Sequence, residues 1–273
     1  MDNVDQLWST LYDSSATDFL GLRTTRKILD LGCGSGMWTW TLGRLTRGRG
    51  LMVGIDVDVE LLRHAIKRLD GKAEFIAADA ASLPFRPDCF DLTTCRRLLI
   101  NLQGRNRRQV VKEMIRVTRM GGKVASVEPS LHTNKANQFC TICGSQRFSR
   151  QLEKANPGTD FSFGPKAAAL FHGCGLENVG VWSYVSIDST LPPYGRCGKT
   201  TRFVNPVVHD GTFSHALTTV SHPFTGRVKE SLSRQASKLD SDMRRQVEKG
   251  RFVSVSAVPF FLTRGTRAPG RQH

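Results

Sequence analysis

The chain has 273 residues, 39 basic against 24 acidic side chains, a formal net charge of +15 and a hydrophobic content of 39%. That length suits one α/β domain with an inserted lobe, and the apolar fraction is enough for a core. No run of about 18 apolar residues occurs, which excludes a membrane-spanning helix, and seven cysteines without a tight framework fit reduced thiols rather than a disulfide scaffold.

The charge is uneven. Residues 195–273 hold 14 Lys and Arg against 5 Asp and Glu, hence +9, and residues 1–194 hold the other +6. Such a balance can attract nucleic acid, an anionic membrane surface or an acidic substrate, but a solvated basic surface explains it equally well. The opening Met1-Asp2-Asn3-Val4-Asp5 lacks a basic n-region and an apolar h-region, so a cytoplasmic location is expected.

In chain order, Leu7, Trp8, Leu11, Tyr12, Phe19 and Leu20 give residues 3–20 a helical or half-helical apolar pattern. Lys27-Ile28-Leu29-Asp30-Leu31 then reads as a buried parallel strand, followed by glycines at alternate positions, Gly32, Gly34 and Gly36. A helix over about 35–46 follows. A strand, a glycine turn and a helix N-terminus together form a backbone cradle for a ligand. The dinucleotide fingerprint would want its third glycine at Met37, and the spacing here differs.

A second strand, Leu51 to Ile55, ends in Asp56, 24 residues after Gly32. An acid at that tip can accept both hydroxyls of a ribose diol. A helix over 58–70 places Val59, Leu62, Ala65, Ile66 and Leu69 on one face. Residues 73–78 read as a third strand ending at Asp79-Ala80, and Cys89 to Thr94 as a fourth. Arg105 to Arg119 is a helix with Val110, Val111, Met114, Ile115 and Val117 inward; its Arg105, Arg107, Arg108, Lys112, Arg116 and Arg119 read as a solvated face. A Gly121-Gly122 turn and a strand from Val124 to Glu128 close this part.

These ordered motifs resemble those of the class I S-adenosylmethionine (SAM)-dependent methyltransferases. The resemblance is close over residues 25–130 and loose over 160–186 and 251–264. It implies a doubly wound α/β fold: a mostly parallel seven-stranded sheet with an antiparallel last strand, plus an inserted, mainly helical lid. It implies SAM as cofactor, with Asp30 at its amino group and Gly32, Gly34 and Gly36 against its methionine part. Asp56 falls to the ribose, Asp79 to the adenine amine with Ala80 beside it, and Cys95 to the end of the fourth strand. Cytosine-methylating relatives carry a catalytic thiol there, but they expect proline before it, and Thr94 stands there; Cys95 reads as a spacer.

The resulting division is a cap segment at 1–24, a SAM-binding core at 25–129, a first insert at 130–163, a core helix and sixth strand at 164–187, a second, helical insert at 188–250, a last strand at 251–264 and a basic tail at 265–273. The second insert carries an amphipathic helix over 223–249. Both inserts are expected to act as a lid, and their phenylalanines and arginines suit an apolar or aromatic small molecule.

Cys140-x-x-Cys143, with Cys174 and Cys197 as further ligands, invites a zinc reading, but the second close doublet of a zinc ribbon is missing and no metal is expected. Leu191-Pro192-Pro193-Tyr194 has the letters of an amino-methylating signature in the wrong place, since that box belongs at the end of the fourth strand. His132, His172, His209, His215 and His222 lie in or near the inserts, and none is singled out as a base. The function expected is methyl transfer to a small molecule by in-line displacement. The alternatives are an RNA or ribosome methyltransferase, favoured only by charge, and a SAM-binding protein without catalysis.

Overall fold

The computed structural model describes residues 14–130, 138–140, 145–156, 158–190, 226–252 and 254–268. Trp8, Tyr12, His132, Cys143, the Pro-Pro-Tyr segment, Cys197, His209, His215 and His222 lie outside them.

The chain divides into two compact units. The first comprises Met1–Ser130, Ser162–Tyr184 and Phe260–His273, and carries the glycine cradle. Its elements begin with helix α1 (Ser14–Leu20) and strand β1 (Lys27–Leu31), whose last four residues are buried because helices cover both faces of a parallel sheet. Helix α2 (Met37–Leu45), β2 (Leu51–Asp56), helix α3 (Val59–Leu69) and β3 (Glu74–Ala77) follow. Asp58 starts α3 by accepting the backbone N–H groups of Glu60 and Leu61, a side-chain cap for otherwise orphaned donors. Leu62, Ala65 and Leu69 bury one face of α3. Val59 and Ile66, expected on that face, are half-exposed, since a helix resting on a sheet buries a narrower stripe than the pattern allows.

Next come β4 (Phe90–Arg96), a single 3₁₀ turn at Leu99–Asn101, helix α4 (Gly104–Val117) and β5 (Thr118–Pro129). The expected Gly-Gly turn is instead a bulge within β5. Phe90 pairs with Thr118 but Leu92 pairs with Lys123, and Gly121 takes up the slack at φ 70°. After a 3₁₀ turn at Gly164–Lys166 and helix α6 (Ala167–Gly173), strands β7 (Leu176–Thr190) and β8 (Ser254–Arg267) complete seven strands. The order is β3-β2-β1-β4-β5-β8, with β7 on β8. Strands β1 to β5 run parallel, and β8 lies antiparallel to β5 from Lys123↔Thr266 to Pro129↔Phe260.

The end of the sheet departs from the expectation as well. The last strand continues to Arg267 rather than fraying at Gly265. Its guanidinium donates to the carbonyls of Ile115, Arg116 and Thr118, the open C-terminal end of α4, and pairs with Asp88. The basic run over Arg105 to Arg119 is exposed at Arg105, Arg108, Lys112 and Arg119, as expected, yet several of its arginines also bind within the protein. Arg107 donates to the carbonyls of Leu99 and Leu102, and Arg108 to Gly173. Arg116 grips Glu113 and the carbonyls of Leu83 and Phe85, while Arg119 pairs with Asp91. Arg107, Arg108 and Arg116 fasten α4 to its neighbours, while Arg119, which the helix does not reach, ties β5 to β4.

The second unit comprises Leu131–Phe161 and Val185–Pro259. It contains β6 (Gln138–Cys140), antiparallel to the start of β8, and helices α5 (Ser145–Ala155) and α7 (Gly226–Glu248). Its own core is Phe148, Leu232, Ala236, Leu239, Met243 and Phe252, the middle four at the helical spacing that makes α7 amphipathic.

Candidate functional site

In the first unit, β1, β2 and β4 end at one edge of the sheet, since Leu31 stands opposite both Ile55 and Cys95. Open parallel sheets bind ligands at this carboxyl edge. The turn leaving β1 carries all three glycines at positive φ: 62° at Gly32, 53° at Gly34 and 78° at Gly36. Their neighbours differ. A Cβ on Gly36 would lie 2.8 Å from Leu69 and 3.0 Å from Ala65, so this glycine lets α2 pack on α3. A Cβ on Gly32 would meet Leu98 at 3.0 Å, whereas one on Gly34 would meet only Leu61, at 3.9 Å. Gly34 is the open floor of the cradle.

The acids are held from beneath. Asp56 Oδ2 accepts the Gly34 N–H at 2.8 Å and Oδ1 accepts the Asp58 N–H at 3.0 Å. A carboxylate has about four acceptor sites, so two remain for a diol. Asp30 is buried. Its Oδ2 accepts the Thr39 hydroxyl at 2.6 Å, while Oδ1 has no hydrogen-bond partner in the protein. Burial pushes its carboxyl up to about 7, against the opposing pull of Thr39 and the Arg96 charge. A buried orphaned acceptor is costly alone and is satisfied by a cationic donor such as an ammonium. Asp79 follows β3, exposed, and its Oδ1 accepts the Ala81 N–H at 2.8 Å, forming a tight turn around half-buried Ala80.

Cys95 is fully buried in β4. Its thiol points to Glu128 Oε1 at 3.9 Å, and burial, then the Glu128 charge, hold it well above the usual thiol range. It is no thiolate nucleophile. Beside it, Trp38 Nε1 donates to Thr94 Oγ1 at 3.2 Å, tying α2 to β4. The structure thus brings Asp30, the three glycines, Asp56 and Cys95 to one sheet edge, with Asp79 and Ala80 beyond the neighbouring β3.

Glu128 went unread in the sequence. It is buried at the end of β5, and its two oxygens accept the N–H groups of Leu99 at 2.9 Å and Ile100 at 3.1 Å. Its only sequence signal is an acid before a proline at a strand end. His172 is exposed on α6, outside this constellation. Among the described residues no group of three or more His, Cys, Asp or Glu could hold a metal ion, and no helix is long and apolar enough to cross a membrane.

Comparison with known proteins gives concordant findings. Residues 28–122 match a family model described as a methyltransferase domain. The chain is 32% identical over 130 residues to the ubiquinone/menaquinone biosynthesis C-methyltransferase of Pseudomonas savastanoi pv. phaseolicola, covering 46% of this chain and 50% of that one. It is 31% identical over 182 residues to the demethylmenaquinone methyltransferase of Lysinibacillus sphaericus, covering 60% of this chain and 76% of that one. For the first of these relatives the chain spans about half their length. Among solved structures, the YcgJ protein of Bacillus subtilis matches with a TM-score of 0.58 at 15% identity, over 96% of this chain and 100% of that one, a likeness of fold.

Proposed function

The chain belongs to the class I SAM-dependent methyltransferases, and from that premise we propose that it methylates a small, apolar or aromatic molecule using SAM. When bound, SAM supplies a methyl group on a sulfonium, already activated for in-line displacement. The chain's own residues bind, orient and exclude water. Asp30 Oδ1 accepts from the cofactor's amino group, the glycine turn lies against its methionine part with Gly34 as the open floor, and Asp56 takes the ribose diol. Asp79 accepts from the adenine amine, with Ala80 beside it, and Cys95 fills space at the end of β4. Alignment supplies the main rate gain, so no dedicated base is required of the protein.

The observation that carries this reading is Asp30. A buried carboxyl with one unpartnered oxygen stands two residues before a turn of three positive-φ glycines, and a fold that keeps such a group needs a donor for it. The relatives, a ubiquinone/menaquinone biosynthesis C-methyltransferase and a demethylmenaquinone methyltransferase, support an apolar aromatic acceptor. The inserted unit, which the chain enters from the carboxyl end of β5, is given the task of choosing that acceptor. RNA has only net charge in its favour, and Arg107, Arg108 and Arg116 of α4 are engaged within the protein.

The test is calorimetry with SAM, followed by incubation with methyl-labelled SAM and an apolar metabolite extract. Micromolar binding and label in a small apolar product are expected. Absence of SAM binding would remove the reading.

A further inference from the structure

We propose that Glu128 is a positioning residue that locks the turn after β4 against the glycine cradle, so that the acceptor side and the cofactor side of the site move as one piece. The proposal rests on the methyltransferase reading for its meaning, and on geometry for its substance.

The chain of contacts is short. Both Glu128 oxygens hold backbone N–H groups of the turn, those of Leu99 and Ile100. The preceding Leu98 lies against Gly32, where a Cβ would meet it at 3.0 Å. Gly32 leads to Gly34, whose N–H is held by Asp56. A buried carboxylate at the end of β5 is therefore connected through one leucine to the floor of the cofactor cradle.

The turn is also over-determined in a way that loop closure does not need. Arg97 adopts φ 55°, a left-handed conformation that costs a side-chain-bearing residue free energy and persists only where its surroundings impose it. Its N–H donates to the Val127 carbonyl at 3.0 Å, and its carbonyl accepts Asn101 Nδ2 at 2.9 Å. Arg107 braces the far side through the carbonyls of Leu99 and Leu102 while stacking on the Phe163 ring at 4.0 Å. A surface loop with no task would relax Arg97. A turn that must present fixed atoms at the carboxyl edge of the sheet would not.

Glu128 has no route to act as a base. It is fully buried, with both oxygens on backbone donors and the Cys95 thiol beneath. Burial pushes its carboxyl up to about 7, against the pull of the turn's N–H groups and the Arg97 charge. A neutral isostere relieves that penalty, so Glu128→Gln is expected to fold.

The experiment measures amide hydrogen exchange in the full chain at Leu99 and Ile100 and, separately, at Cys33 and Gly34, together with SAM affinity. In Glu128→Gln one N–H faces an amide donor, so exchange at Leu99 or Ile100 should quicken about tenfold or more, Cys33 and Gly34 should quicken with it, and SAM should bind about tenfold more weakly. In Leu98→Ala the carboxylate grip stays, so Leu99 and Ile100 should remain protected while Cys33 and Gly34 quicken and SAM binding weakens. Unchanged exchange at Leu99 and Ile100 in Glu128→Gln would overturn the proposal. So would quickened exchange there with the glycine turn and SAM affinity unmoved. If the unsubstituted protein binds no SAM, the proposed function fails, and exchange alone still decides whether Glu128 governs the cradle.

Discussion

Asp56 Oδ2 accepts the Gly34 backbone N–H at 2.8 Å, so the acid assigned to the ribose is also the clasp of the glycine turn. Cradle and clasp come from different strands, β1 and β2, and each fixes the other before any ligand arrives. Pre-organisation of this kind reduces the ordering cost of binding.

The first prediction follows from that double duty. Asp56→Ala should weaken SAM binding more than the loss of one hydrogen bond would, because the diol loses its partner and Gly34 loses its anchor. Each charge-assisted bond contributes about 1.5–3 kcal/mol, so a loss of roughly 100-fold or more in Kd is expected by calorimetry. An Asp56→Ala protein with unchanged affinity would remove Asp56 from the site.

Substitutions in the glycine turn should separate stability from binding. Gly36→Ala drives a methyl group into Leu69 and Ala65 at positive φ and should lower stability by about 1–3 kcal/mol. The Cβ of Gly34→Val meets only Leu61, so beyond the strain of positive φ its damage should fall on SAM binding. Thermal unfolding and calorimetry on both variants check the contrast.

Asp30 predicts a pH dependence with a definite sign. Its carboxyl lies near 7 in the folded protein and near 3.8 when unperturbed. Between these values the folded state holds the extra proton, so this group's contribution to stability declines as pH rises toward 7 and then levels off. Asp30→Asn removes that penalty and should raise the unfolding temperature above pH 7. Binding runs the other way. An ammonium pairs with the ionised form, so SAM affinity should fall about tenfold per pH unit below 7 in the natural protein. In Asp30→Asn it should be uniformly weak and nearly flat. A flat profile in the natural protein would sink the assignment of Asp30 to the amino group.

What the sequence revealed and what it concealed divide by sequence distance. The glycine turn, Asp30 and Asp56 were legible because their signals are local: a turn that needs positive φ, and acids at the tips of apolar runs. The inward stripe of α4 was legible for the same reason, with Val110, Val111, Met114 and Val117 buried and Ile115, expected with them, half-buried. Glu128 was not, because its partners lie 28 and 29 residues away and an acid at a strand end ordinarily reads as solvent-facing. Arg267 met the same difficulty, since a basic residue near a C-terminus looks frayed until α4 supplies the carbonyls it caps.

The arginines of α4 supply the last prediction, which bears on RNA as a substrate. If the basic face served nucleic acid, its side chains would be interchangeable cations, each weakening RNA binding by a similar step and lowering its salt dependence. The structure makes them unequal. Arg116 has its guanidinium on Glu113 and on two backbone carbonyls, Leu83 and Phe85, and Glu113 in turn accepts the Leu83 N–H at 2.8 Å. Arg116→Ala leaves those carbonyls without donors and should cost about 1–3 kcal/mol of stability. Arg105 is exposed on the same helix, and Arg105→Ala should stay within about 0.5 kcal/mol. Chemical unfolding of the two variants measures the difference, and methyl transfer to total RNA at about 150 mM salt, where screening weakens non-specific attraction, should stay at background in all forms. Equal stabilities, with RNA labelling that falls alike in Arg105→Ala and Arg116→Ala, would favour an RNA methyltransferase instead.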